Sequence, residues 1–295
     1  MKRLFVPIAA AGLALVAAGA ASPSGFVLPG FGPTPYDTGD GVVLSGTVPG
    51  RYAPSEPAGQ SYVYLPPHFT AEHRYPVVYL LHGMPGTPRI YVGAPSHLAR
   101  AAGEVIAAGA RPFIAVLPYA GPATHRGRAE WAGRWEDYLV HDVVPWTDAH
   151  LPTIRSPGGR TLAGLSAGGY GAVDIGLRHT DLFGTLESWS GYFRPIIDGP
   201  FVHASAADLA AHDPSRLVRK EVARLRRDHT RFELSTDNLG HGPVTPAMTT
   251  AFAAEVHELG LPCEFWHVPA NVLVPDYPGQ MKRGLAYAFG PARSQ

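Results

Sequence analysis

The chain has 295 residues, of which 45% are hydrophobic and 16% charged, and its 24 basic and 24 acidic residues give a formal net charge of zero. This length and composition fit one large globular domain with a substantial core. The balanced charge argues against a nucleic-acid partner, because nucleic-acid-binding proteins concentrate positive charge on one surface. The single cysteine, Cys263, excludes an intrachain disulfide.

The first twenty residues have the three-part pattern of a secretory signal peptide. A basic start at residues 1–3 precedes an apolar run over 4–16, and the small residues 18–20 provide a cleavage site. The apolar run is short and rich in Ala and Gly for a membrane-spanning helix. We therefore predict export to a secreted or cell-envelope location, with cleavage of residues 1–20 and no membrane span afterwards.

Residues 21–40 are rich in Gly, Pro and Ser, which predicts a flexible linker. Strand-like and helix-like patterns follow, and we predict one domain over 41–295. The strand patterns cover 41–47, 61–65, 77–81, 113–118, 161–165, 184–188, 231–235 and 264–268. The helix patterns cover 96–108, 135–150, 167–179, 214–227, 245–259 and 279–289.

The strand patterns at 77–81 and 113–117 are continuously apolar, which is typical of parallel strands buried on both faces. From there on, strands alternate with helices. The sequence therefore predicts an α/β fold with a mostly parallel central sheet of about eight strands and helices on both faces.

The most informative motif is Gly164-Leu165-Ser166-Ala167-Gly168, which joins a strand pattern to a helix pattern. A Gly-x-Ser-x-Gly sequence in that context is the nucleophile elbow of α/β-hydrolases, in which a sharp turn exposes the serine hydroxyl above the sheet. The motif predicts Ser166 as a nucleophile, and the strand-to-helix context is what distinguishes it from a chance match.

An acyl-transfer site also needs two backbone N–H groups that bind the developing oxyanion. In this architecture one belongs to the residue after the nucleophile, here Ala167, and the other to the loop after an earlier central strand. That loop reads His82-Gly83-Met84, so we predict Met84 as the second donor. An ordinary Gly/Pro turn is the alternative interpretation of this loop.

A serine nucleophile requires a base and an orienting carboxylate, which follow in the chain order serine, acid, histidine. Asp237 stands at the carboxyl end of the strand pattern 231–235 and is the predicted acid. The alternative is a turn residue before Asn238. The histidine is expected after the last strand, but residues 269–277 contain none. His241, in the loop after Asp237, and His267, within the last strand pattern, remain as candidate bases, and we favour His241.

Cofactor-dependent chemistry has little support in the sequence. The 14 histidines include no His-x-x-x-His or His-Glu-x-x-His spacing, and no Gly-x-Gly-x-x-Gly follows the first strand. We therefore predict no metal, no dinucleotide and no other cofactor.

The chain resembles the esterase D-type α/β-hydrolases in the segments 79–83, 135–145, 161–171 and 181–193. That family includes serine esterases, S-formylglutathione hydrolases and secreted mycolyltransferases. The resemblance implies an acyl-enzyme at Ser166, with Met84 and Ala167 as oxyanion donors. It also implies a histidine 13 residues before Leu285, where this chain has Val272.

The expectation is therefore an exported serine esterase or acyltransferase that takes a small-molecule, lipid or carbohydrate ester. The alternative is a protein of the same fold that has lost its base and binds carbohydrate, lipid or a protein partner.

Overall fold

The computed structural model of the chain describes residues 26–36, 40–52, 60–121, 130–240, 244–269 and 275–291. The predicted signal peptide lies outside these residues, as do His241 and Val272. Within the described part of the chain, no helix combines the length and apolar character needed to cross a membrane.

The architecture is built on one nine-stranded sheet with the order β1-β2-β3-β5-β4-β6-β7-β8-β9. The strands are β1 Phe31–Pro33, β2 Val42–Gly46, β3 Ser61–Leu65, β4 Val77–Leu81, β5 Ile114–Leu117, β6 Arg160–Leu165, β7 Thr185–Trp189, β8 Arg231–Thr236 and β9 Cys263–His267. Strands β4 to β9 run parallel to one another, while the β1–β2, β2–β3 and β3–β5 pairs are antiparallel. The predicted mostly parallel sheet is confirmed.

The sheet has one strand more than the number suggested by the sequence. Strand β1 lies inside the segment 21–40, for which the composition predicts a flexible linker. It pairs with β2 at the edge of the sheet, where Gly32 lies opposite Ser45. A three-residue Phe-Gly-Pro strand has no alternating apolar pattern, so it is formed by pairing and not by local preference.

Ten α-helices are formed by the described residues. They are α1 Arg89–Val92, α2 Leu98–Ala107, α3 Arg134–Asp137, α4 Val144–His150, α5 Ala167–Arg178, α6 Ala206–Ala211, α7 Pro214–Lys220, α8 Val222–Arg227, α9 Pro246–Glu258 and α10 Tyr277–Phe289. A π-helical segment over Tyr138–Val143 joins α3 to α4, so the helix predicted over 135–150 changes its hydrogen-bonding pattern midway.

Alternate residues of the central strands pack into two apolar layers on opposite faces of the sheet. On one face Tyr79 and Leu81 join a core that includes Val173 of α5 and Phe252 of α9. On the other face Leu80 packs with residues of α2 and α10. Both faces of the parallel strands are therefore covered, as their continuous apolar sequences require.

The parallel register brings the carboxyl ends of β6, β7 and β8 to one edge of the sheet. Leu165, Trp189 and Ser235 lie side by side in that register. Because ligands of open α/β sheets bind outside these ends, the residues that follow them form the candidate site.

Candidate active site

Ser166 occupies a strained turn between β6 and α5. Its φ of 55° and ψ of −118° lie in a region that residues with a side chain rarely adopt. Its N–H donates to the carbonyl oxygen of Trp189 at 2.9 Å, and its own carbonyl accepts from the N–H of Tyr170. Residues 159–165 and 167–177 are all buried, whereas Ser166 is partly exposed. The turn therefore presents the serine side chain outward from an otherwise buried unit.

The two motif glycines allow this turn to pack closely. A Cβ on Gly164 would overlap the backbone of Gly168, and a Cβ on Gly168 would overlap the carbonyl oxygen of Leu81 at the end of β4. The backbone of helix α5 therefore lies directly against the ends of two strands. The glycines at these positions are required by backbone contact and not by φ.

The loop after β4 lies beside the nucleophile. A Cβ on Gly83 would come 3.3 Å from the Cβ of Ser166. Met84 follows, and its N–H donates to no group of the described residues. Ala167 is the first residue of α5, so its N–H has no partner within the helix. Two backbone N–H groups that donate to no described residue thus belong to residues beside Ser166, one in the loop after β4 and one at the start of α5.

A cavity of about 220 Å³ opens at this point. Among the described residues, its walls are formed by Gly83, Met84, Pro85, Gly86, Ile90, Leu165, Ser166, Ser190 and Tyr277. None of these is a histidine. Burial raises the pKa of the Tyr277 phenol, and the carboxylate of Asp237 raises it further. Tyr277 is therefore a neutral hydrogen-bond donor at the cavity wall.

Asp237 lies directly after β8 and is fully buried. Its Oδ1 accepts from the N–H of Leu239 at 2.9 Å, and its own N–H donates to the Oγ of Ser190 at 3.3 Å. Strand β8 is the second neighbour of β6, so Asp237 stands two strand spacings, about 10 Å, from Ser166.

His267 lies in a different position from the one a base requires. It is the exposed last residue of the edge strand β9, in register with Thr236. Three strand spacings, about 14 Å, separate this strand from β6. An imidazole there is beyond hydrogen-bonding reach of Ser166.

His82, adjacent to Gly83, has both ring nitrogens occupied. Its Nδ1 donates to the carbonyl oxygen of Gly83 at 3.0 Å, and its Nε2 accepts from the N–H of Ala120 at 3.2 Å. Complete burial lowers its pKa to about 4. This histidine is a neutral structural residue that holds the loop before Met84.

Two residues that sequence reasoning missed also shape the site. The Tyr91 hydroxyl donates to the carbonyl oxygen of Leu81 at 2.7 Å and accepts from the N–H of Leu165 at 3.0 Å, so it holds the ends of β4 and β6 together. Ser190 follows β7 at the cavity wall. Tyr91 has no signal in the sequence, whereas Ser190 could have been found because polar residues after a buried parallel strand lie at the ligand-binding edge.

Comparison with known proteins identifies the family of the chain. The family model described as "Putative esterase" matches residues 59–260. Esterase Rv1288 of Mycobacterium tuberculosis is 30% identical over 139 residues, which cover 44% of this chain and 28% of that protein. The chain therefore spans less than a third of the length of this curated relative.

Solved structures agree with the fold. A ferulic acid esterase superposes with a TM-score of 0.65 at 21% identity, covering 78% of this chain and 91% of that chain. FphF, a fluorophosphonate-binding serine hydrolase of Staphylococcus aureus, superposes with a TM-score of 0.64 at 17% identity, covering 84% of this chain and 98% of that chain. The fold is that of the α/β-hydrolase esterases.

Proposed function

Because this chain belongs to the esterase D-type family of α/β-hydrolases, we propose that it is a serine esterase or acyltransferase that cleaves carboxylic esters through an acyl-enzyme on Ser166. The observation that carries the proposal is the geometry of Ser166, a partly exposed serine in a strained turn that shares a cavity with the Gly83–Met84 loop. Backbone strain at a non-glycine residue persists only where the surrounding structure holds it, and such strain is concentrated at functional sites.

In the proposed mechanism the Oγ of Ser166 attacks the ester carbonyl carbon while a base takes its proton. The oxyanion of the tetrahedral intermediate accepts from the N–H groups of Met84 and Ala167. The C–O bond to the alcohol then breaks, and the base returns the proton to the leaving alcohol. Water or an acceptor alcohol attacks the acyl-enzyme in the second half, which releases the acid or a new ester.

We assign the base to His241 and its orientation to Asp237. The assignment is supported by the burial of Asp237 at the end of β8 and by the position of His241 four residues later. Two other histidines fit the role less well, since His82 has both ring nitrogens occupied and His267 belongs to the far edge strand. His241 itself lies outside the described residues.

The substrate that we propose is a small ester whose acyl or alcohol part enters the cavity beside Ser166. A cavity of about 220 Å³ is below the usual size of drug-binding pockets, which supports a short group on that side. The structural relative named as a ferulic acid esterase makes aryl esters a reasonable second class to test. The basic-apolar-small pattern of residues 1–20 supports export of the protein.

Hydrolysis of 4-nitrophenyl acetate, 4-nitrophenyl butyrate and methyl ferulate tests the proposal. We expect turnover of at least one ester by the intact protein and a loss of about 10³-fold or more in kcat/KM for Ser166→Ala. Adding a primary alcohol distinguishes transfer from hydrolysis, because a transferase forms the new ester in proportion to the acceptor. Equal rates for the intact protein and Ser166→Ala would contradict the proposal.

A second candidate function is ligand binding without catalysis. It is favoured by one observation, namely that no described residue of the cavity wall is a histidine. A protein without a base retains only the contributions of substrate binding and the oxyanion donors. This candidate predicts no turnover of any ester, together with saturable binding of an ester or carbohydrate that Ser166→Ala leaves unchanged.

A further inference from the structure

Ser190 is a second serine in an unusual conformation beside the nucleophile. It directly follows β7 and has a φ of 49°, in the left-handed region that residues with a side chain rarely adopt. Only 4% of it is exposed, and it contributes to the wall of the cavity that contains Ser166. Its N–H donates to the carbonyl oxygen of Ser235 at 2.7 Å, which ties this turn to the end of β8.

The Ser190 hydroxyl contacts two segments that are far apart in the chain, namely the turn after β8 and the first turn of α10. Its Oγ accepts from the N–H of Asp237 at 3.3 Å. It also lies 3.1 Å from the Nε2 of Gln280 and 3.2 Å from the Oε1 of the same side chain. Gln280 belongs to the first turn of α10 and is fully buried. A buried hydroxyl and a buried amide therefore satisfy each other next to the acid.

The start of α10 is fixed from both sides. Asp276 caps the helix by accepting from the N–H of Gly279 at 3.0 Å, and Gln280 reaches back to the turn after β7. Tyr277, between these two residues in sequence, forms part of the cavity wall. Displacement of the Ser190–Gln280 contact would thus move the wall of the cavity and the turn of Asp237 together.

We propose that Ser190 is a positioning residue for the reaction at Ser166, with Gln280 as its partner. This inference rests on the proposed esterase function. The hydroxyl of Ser190 accepts from the N–H of Asp237 and so holds the turn that orients the Asp237 carboxylate. The turn of Ser190 is also joined to the nucleophile, because the carbonyl oxygen of the preceding residue, Trp189, accepts a hydrogen bond from the N–H of Ser166.

The choice of residue types supports this role. A buried polar side chain costs stability unless it is hydrogen-bonded, so an apolar pair would be the simpler way to fill this space. A hydroxyl has two acceptor lone pairs and one proton, enough to serve the Asp237 N–H and the amide at once. The pair therefore provides a directional contact at a point where apolar packing would leave the Asp237 turn free to shift.

The test compares Ser190→Ala, Gln280→Met and the double variant with the intact protein. Ser188→Ala is the matched control, because Ser188 is a fully buried serine of β7, two residues earlier, whose hydroxyl bonds to no described residue. The measurements are kcat and KM for the best ester substrate, the dependence of kcat/KM on pH, and the melting temperature of each variant.

We expect kcat to fall by about 10- to 100-fold in Ser190→Ala with little change in KM, because small misplacements of catalytic groups carry costs of this order. The kcat of Gln280→Met should also fall. The fold-loss of kcat in the double variant should be smaller than the product of the two single losses. A well-aligned carboxylate stabilises the protonated base. The acidic limb of the pH profile should therefore move to lower pH in Ser190→Ala and stay in place in Ser188→Ala.

A lowered melting temperature with unchanged kcat and an unmoved pH profile would overturn the positioning role, because that result describes a structural hydroxyl only. Equal losses of kcat in Ser188→Ala and Ser190→Ala would overturn it as well. If the intact protein hydrolyses no ester, the proposed function fails first and this inference fails with it. The failure of the inference alone is recognised by an active intact protein and an equally active Ser190→Ala.

Discussion

The carbonyl oxygen of Trp189 accepts a hydrogen bond of 2.9 Å from the N–H of Ser166. This bond continues the β6–β7 ladder one residue past the end of β6, into the strained turn. On its other side, Trp189 donates from its indole Nε1 to the Oε2 of buried Glu233 at 3.1 Å. The turn of Ser166 is thus hydrogen-bonded to Trp189 of β7, and the indole of Trp189 is itself hydrogen-bonded within the core.

The strain at Ser166 gives a prediction about stability. Backbone strain of this kind costs about 1–3 kcal/mol, and glycine relieves it at the expense of about 0.5–1 kcal/mol of unfolded-state entropy. The free energy of unfolding, measured by urea denaturation, should therefore be about 1 kcal/mol larger for Ser166→Gly than for Ser166→Ala. Both variants should be inactive as esterases. A Ser166→Ala variant at least as stable as Ser166→Gly would show that the turn is unstrained.

The contact between α5 and β4 gives a second prediction. Gly168→Ala would place a methyl group on the carbonyl oxygen of Leu81, which is backbone and cannot rotate away. We expect a loss of about 3 kcal/mol in the free energy of unfolding, typical of severe overpacking. Gly158→Ala is the matched control, because a Cβ there meets no atom within 4 Å, and it should stay within about 0.5 kcal/mol. Equal stability of the two variants would contradict a close backbone contact between Gly168 and Leu81.

A buried pair of carboxyl groups gives a prediction about pH. Glu187 and Glu233 lie in register on β7 and β8, and both are buried. Burial raises the pKa of Glu187 to about 8, and it also raises that of Glu233, which the charge of Glu187 raises further. Between the ordinary glutamate pKa of about 4.3 and these raised values, the folded protein binds more protons than the unfolded chain. Its stability should therefore fall as the pH rises from about 4.5 to 8.

Glu187→Gln tests this behaviour, because an amide of the same shape has no proton to lose. We expect a smaller decrease in melting temperature between pH 6 and pH 9 in Glu187→Gln than in the intact protein. Glu72→Gln, at an exposed position, is the control and should follow the intact protein. Parallel curves for the intact protein and Glu187→Gln would show that Glu187 is ionised across this range.

The assignment of the base gives a fourth prediction. His241→Ala should lower kcat/KM by about 10³-fold or more, because a triad serine without its base loses most of its catalysis. His267→Ala should change kcat/KM by less than about twofold, since His267 is exposed on the edge strand. A large loss of kcat/KM in His267→Ala, together with little change in His241→Ala, would contradict the assignment of the base to His241.

Most of the fold could be predicted from the sequence because the hydrophobic patterns of its strands and helices depend only on neighbouring residues. The continuous apolar runs of β4 and β5 and the amphipathic character of α2 are properties of neighbouring residues. Strand β1 escaped prediction because its three residues gain their conformation only from pairing with β2. The π-helical segment over Tyr138–Val143 likewise has no simple signature in hydrophobic periodicity.

The candidate site divides in the same way. Ser166 and the loop at Met84 stand in short motifs at fixed offsets from strands, so sequence was sufficient to propose them. Tyr91, Ser190 and Gln280 act through contacts between residues far apart in the chain, at separations of 74 residues for Tyr91 with Leu165 and 90 for Ser190 with Gln280. Such contacts become visible only when the strand order is known.

The most direct test of the account is covalent labelling by a fluorophosphonate, followed by mass spectrometry of the digested protein. The intact protein should gain one adduct, on the peptide that contains Ser166, and Ser166→Ala should gain none under the same conditions. The absence of an adduct from the intact protein, at a reagent concentration that labels a control serine hydrolase completely, would contradict an activated nucleophile at Ser166.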